Sequence, residues 1–139
     1  MNLELKHLAA YLPYGITVYG SSELWKLFGI DKVVNGEIFV NLENVNGNPT
    51  ANYYRSASMY EHSLVLRPLS DLTKEIEMNG ERFVPIKKIS IYGDNKAYLE
   101  EAILTGLVEV IVFNMLLSWH FDVFGLIEKG LAIDVNTLK

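Results

Sequence analysis

The sequence predicts an α+β fold: an antiparallel, turn-rich sheet or open small barrel packed on a C-terminal helix. Three observations carry this. Residues 1–92 are dominated by short apolar or β-branched runs separated by Gly, Pro and Asn turn signals. Residues 96–130 read as helical, and residues 102–121 are nearly continuously apolar. A chain of 139 residues, 50% hydrophobic and 21% charged, is long enough for one domain (1–139) to bury its own core without disulfides or metal.

The first thirteen residues leave two readings open. Leu3 and Leu5 alternate as in a strand, whereas Leu5, Leu8 and Leu12 share a helical stripe, and Pro13 closes either. Residues 14–19, with Ile16, Thr17 and Val18, predict a strand ending at the loop Gly20-Ser21-Ser22. Residues 24–30 are read as a strand, although Leu24, Leu27 and Phe28 also fit a helix face. Val33-Val34, then Asn35-Gly36, then Ile38-Phe39-Val40 is the strongest hairpin signal, because a type I′ turn needs positive φ at both central residues. Residues 44–49 form a second turn cluster.

Residues 63–67 predict a strand stopped by Pro68. Ser70 or Asp71 is expected to cap a short helix to about Glu77, with Asn79-Gly80 as its C-terminal stop. Residues 82–86 and 88–92 read as two strands separated near Pro85. After Gly93-Asp94-Asn95, a first helix (96–104) breaks at Thr105-Gly106 and a main helix follows over 107–121. That helix is apolar nearly all round, which predicts burial on several sides, by a curling sheet or by a second copy of the chain. A last short strand is expected over 131–135.

Composition narrows the function classes. Seventeen acidic residues against twelve basic give a net charge of −5, and Lys87-Lys88 is the only adjacent basic pair. Binding to duplex nucleic acid through phosphates is therefore disfavoured, since it needs clustered Lys and Arg. The lack of cysteine rules out a disulfide framework, a thiolate zinc site and a cysteine nucleophile, and fits a reducing cytoplasm. The N-terminal residues carry no secretory pattern. Residues 102–121 have the length of a membrane span, but Glu109 and Asn114 interrupt them and no basic cluster flanks them, so no membrane partner is expected.

Candidate chemistry is sparse. His120-x-Asp122 pairs an imidazole with a carboxylate, a combination that suits a divalent metal or general-base work. Residues at i and i+2 diverge on a helix, and no third ligand is identifiable, so a polar cap anchored by Trp119 and Phe121 is the simpler reading. Neither a metal nor a cofactor is assigned. Glu109, inside apolar sequence, must face water, a partner or a cavity. Whether Glu109, His120 and Asp122 share a pocket is the question these residues pose. Tyr53-Tyr54-Arg55, with Lys87 and Lys88, has the aromatic and basic composition that stacks on single-stranded nucleic acid, and equally suits a protein interface. No nucleophile elbow, phosphate-binding loop or dinucleotide fingerprint occurs.

Three stretches carry a resemblance: His7-Leu8-Ala9-Ala10-Tyr11-Leu12-Pro13-Tyr14-Gly15; Leu66-Arg67-Pro68-Leu69-Ser70-Asp71-Leu72-Thr73-Lys74-Glu75-Ile76 with Asn79-Gly80-Glu81 and Phe83-Val84-Pro85-Ile86; and Trp119-His120-Phe121-Asp122-Val123-Phe124-Gly125-Leu126-Ile127 running on to Ala132-Ile133-Asp134-Val135-Asn136. Together, about half the chain resembles a group of small, uncharacterised proteins encoded by phages and prophages of Bacteroides-type bacteria. The resemblance implies an origin and a bacterial-host cytoplasmic setting; it implies no activity and no catalytic residues. Ala10 stands where a Pro is common, and residues 104–115 are more apolar than in similar sequences. The leading expectation is a non-enzymatic interaction protein that associates with itself or another protein. The alternatives are a single-strand nucleic-acid module and a metal-dependent enzyme using His120 and Asp122.

Overall fold

The computed structural model describes residues 3–45, 54–89 and 95–138. Their fold is α+β. Six strands, β1 (Thr17–Gly20), β2 (Glu23–Val34), β3 (Glu37–Asn44), β4 (Tyr54–Ser58), β5 (Ser63–Leu66) and β8 (Ala132–Asp134), form an open sheet in the order β4-β3-β2-β1-β5-β8. Every pairing is antiparallel except β5 with β8, which is parallel because the chain returns through the helices before adding its last strand. The β2–β3 hairpin turns at Asn35 (φ 53°) and Gly36 (φ 82°), as its Asn-Gly pair demands. Along β3, Ile38, Val40, Leu42 and Asn44 are buried in strict alternation. Register shifts in β2, between Leu27 and Gly29 and between Ile30 and Lys32, mark two bulges that bend this long strand.

One close approach is built into the sheet. Gly20 lies so near the His62 ring that a Cβ there would sit 2.2 Å from Cδ2, and the Gly20 carbonyl accepts a hydrogen bond from Trp25 Nε1 at 3.1 Å. No residue larger than glycine fits without moving buried groups.

The N-terminal ambiguity resolves as helix. The helix α1 (Leu5–Tyr11) begins with the Glu4 backbone N–H donating to His7 Nδ1 at 3.0 Å, and it points Leu8 and Tyr11 into the core. A 3₁₀ turn (Leu12–Tyr14) takes up Tyr14, the first residue expected in the strand, and β1 begins only at Thr17, since Pro13 suits the start of a helical turn.

Two expectations around residues 70–88 are corrected. A 3₁₀ turn over Leu69–Thr73 replaces the expected helix to Glu77, and Ile76–Met78 is instead strand β6, paired antiparallel with β7 (Glu81–Phe83). Asn79 (φ 53°) and Gly80 (φ 81°) form a second hairpin turn; the positive φ that suits a helix stop suits this turn equally. Pro85 does not separate two strands: it opens the short helix α2 (Pro85–Lys88), where a missing N–H costs nothing. Of the strand expected over 88–92 and the turn cluster at 44–49, residues 90–92 and 46–49 lie outside the described residues.

The helices α3 (Lys96–Thr105) and α4 (Val110–Ser118) follow. Leu99 and Ile103 of α3, and Val112, Leu116 and Leu117 of α4, join residues of α1, the sheet and the small hairpin in one hydrophobic cluster. After α4 the chain passes beside β5: the Arg67 N–H donates to the His120 carbonyl and the Asp122 N–H to the Arg67 carbonyl, both at 2.8 Å. Tyr11 Oη donates to the Phe121 carbonyl at 2.6 Å, tying α1 to the same segment.

Candidate functional site

The expected main helix over 107–121 is shorter and less covered than its composition suggests. Gly106, at φ 74°, ends α3: its N–H donates to the Ile103 carbonyl, and the Leu107 N–H to the Ala102 carbonyl at 2.9 Å. This is the left-handed stop that glycine supports best. Glu109 is extended, its carbonyl accepts the Phe113 N–H at 2.9 Å, and α4 begins only at Val110. The two helices are consequently bent by 101°. No single described helix is long and apolar enough to cross a membrane; α3 and α4 reach that length and composition only as this bent pair.

The bend leaves the corner bare. Burial on several sides was expected of this segment; Val112, Leu116 and Leu117 enter the core and Phe113 and Met115 pack partly against it, but the side carrying Val110 and Ile111 is left out. Leu104 is 80% exposed, Leu107 79%, Val110 75%, Ile111 71% and Tyr98 60%. Together these five residues expose on the order of 600–700 Å² of mostly apolar surface, at or above the largest patch of a typical monomer. Scattered single exposures of this kind are ordinary; five within fourteen residues are not. Beside them, Tyr98, Ala102, Thr105 and Leu107 line a small pocket of about 190 Å³ whose other wall is acidic, from Glu101 and Glu109. Glu109 thus answers its own question: it is exposed and borders this pocket.

His120 and Asp122 do not join it. His120 takes up the left-handed conformation (φ 63°) just past α4, and its Nε2 lies 2.8 Å from the Tyr14 carbonyl, so Nε2 carries the proton. Burial lowers its pKa, against the raising effect of that bond. Asp122 is buried, and its two carboxylate oxygens accept the Leu126 N–H at 2.7 Å and the Ile127 N–H at 2.9 Å. The two side chains line different clefts, and neither cleft includes Glu109. Among the described residues no group of three His, Asp or Glu side chains is arranged to hold a metal ion.

The aromatic and basic set is divided. Tyr53 lies outside the described residues. Tyr54 and Arg55 fall on the edge strand β4, opposite Glu43 and Leu42 of β3. Lys87 and Lys88 are exposed on α2, where Lys88 pairs with Glu81 and sits over the Phe83 ring. Periodicity flagged the apolar C-terminal segment, but not which end of it stays bare; the telling signal was Gly106, which forces the helix to restart. No family model, curated protein or solved structure matches this chain.

Proposed function

We propose that the chain is a non-enzymatic interaction protein that self-associates through the corner between α3 and α4. The observation that carries this reading is the bare apolar surface of Tyr98, Leu104, Leu107, Val110 and Ile111 on a chain whose core is otherwise filled. Its area approaches the roughly 800 Å² that each partner contributes to a standard interface. The favoured occupant is a second copy. The same patch offers protruding side chains (Val110, Ile111) and a pocket of about 190 Å³ beside them, the self-complementary arrangement that a two-fold interface requires. Glu101 and Glu109 then approach their counterparts across the axis, so association strengthens as added salt screens the repulsion, the reverse of an interface held by ion pairs. The resemblance to phage and prophage proteins supports a phage setting for this role.

Light scattering across a concentration series tests the reading. The wild-type chain is expected to form dimers, favoured by salt, and Leu107→Glu or Ile111→Glu to remain monomeric with unchanged circular dichroism, since both positions already face solvent. A wild-type chain that stays monomeric throughout, or one that instead co-sediments with phosphatidylcholine vesicles, overturns it.

A further inference from the structure

The sheet has a second face, and part of it is enclosed. Thr17 and Leu24 alternate with the core residues Val18 and Trp25, and Val65 alternates with Leu64 and Leu66, so all three lie on the side away from the core. Val65 is nevertheless buried. Val135 and Leu138 meet it there, leaving a cleft of about 220 Å³ that Arg67 and His120 also line.

Arg67 is the unusual group in this cleft. Its side chain is only 16% exposed, yet its nearest carboxylate oxygen, on Asp71, is 3.9 Å away, beyond hydrogen-bonding distance. Nη2 reaches only the Met78 sulfur, and Nε is buried without a hydrogen-bond partner. Asp71 stands within ion-pair range of the guanidinium without bonding to it, and its own Oδ1 is buried without a hydrogen-bond donor. Asp71 faces Lys74 at 3.3 Å and accepts from Asn136 Nδ2 at 2.9 Å, while Asp134 accepts the Asn136 N–H at 2.8 Å. Among the described residues, then, no oxygen accepts a hydrogen bond from this guanidinium. Unmet buried donors are costly, and the partner that matches a guanidinium fork is a carboxylate, taken through two parallel N–H bonds. His120, fixed to Tyr14, is a rigid wall. The rest of the lining is largely aliphatic: Leu24, Val65, Leu66, Val135 and Leu138.

We propose that this cleft binds a small monocarboxylate with a branched aliphatic body, its carboxylate on Arg67 and its body against Val65, Val135 and Leu138. At about 220 Å³ the cleft is smaller than the usual pocket for a drug-sized ligand and suits a small molecule. The site is independent of the α3–α4 corner.

Titrating the full chain with 4-methylpentanoate and, separately, with 4-methylpentanamide, followed by amide-resolved NMR, tests the proposal. Saturable shifts are expected at Leu66, Arg67 and Val135, with the acid binding roughly tenfold tighter than the amide, the worth of a hydrogen-bonded charge. Arg67→Met abolishes that preference, and Arg67→Lys, which keeps the charge without the fork, reduces it. If Arg67→Met does not fold, the comparison of acid with amide on the wild-type chain decides alone. Equal responses to acid and amide, shifts at the α3–α4 corner instead, or no saturable shift overturns the proposal.

Discussion

His120 occupies a backbone position that glycine usually fills, and its side chain explains why it is there. The left-handed conformation costs a non-glycine residue about 1–2 kcal/mol, and the bond from Nε2 to the Tyr14 carbonyl, joining residues 106 apart in sequence, offsets about 1 kcal/mol of it. His120→Gly removes both strain and bond and is expected to leave stability within about 1 kcal/mol of wild type. His120→Ala keeps the strain and loses the bond, so its urea midpoint should fall below that of His120→Gly; equal midpoints would contradict the strain. Asp122 holds the turn after α4 through two charge-assisted bonds. Asp122→Ala leaves one buried and one partly buried N–H without its acceptor and should cost about 2–4 kcal/mol in the same measurement. The metal-ligand types at 120 and 122 were legible in the sequence. Their use in fastening backbone was not, because the partners, Tyr14 and the 126–127 amides, are fixed only by the fold.

At the scale of elements, Asn-Gly pairs show what local sequence decides and what it leaves open. Asn35-Gly36 was readable as a hairpin because apolar alternation flanks it on both sides. Asn79-Gly80 has the same backbone, but it follows Ser70-Asp71, a pair with every mark of a helix start, and the short β6 and β7 carry too few residues to show a period. Pro85 misled for a related reason: proline opens a helix as readily as it ends a strand. Gly106 is the residue on which the α3–α4 corner depends. Nothing lies within 4 Å of a Cβ placed there, so Gly106→Ala tests conformation alone. It should cost about 1 kcal/mol through the positive φ, read as a lower thermal midpoint; no loss would mean the stop does not need glycine.

For the whole molecule, burial ties stability to pH. The pKa values of His7 and His120 are both lowered from 6.5, chiefly by burial. The unfolded chain therefore binds these protons more readily than the folded one. Their contribution is fully present above the unfolded value near 6.5 and is lost as pH falls through the folded values. Urea denaturation should show stability level from about pH 8 to 7 and declining toward pH 5; a rise toward acid would contradict it. The α+β class and the central hairpin were legible because periodicity and turn chemistry are local. The parallel β5–β8 pair and the Arg67 cleft were not, because each joins residues distant in the chain; the bare corner is local in sequence, but which of its side chains stay exposed depends on where the rest of the core lies. The central claim is that two copies meet at that corner. With no native cysteine, a spin label on Asn114→Cys, exposed beside the patch, reports on it directly by pulsed dipolar spectroscopy. A defined intermolecular distance is predicted at this site; a featureless decay at Asn114 would contradict the account.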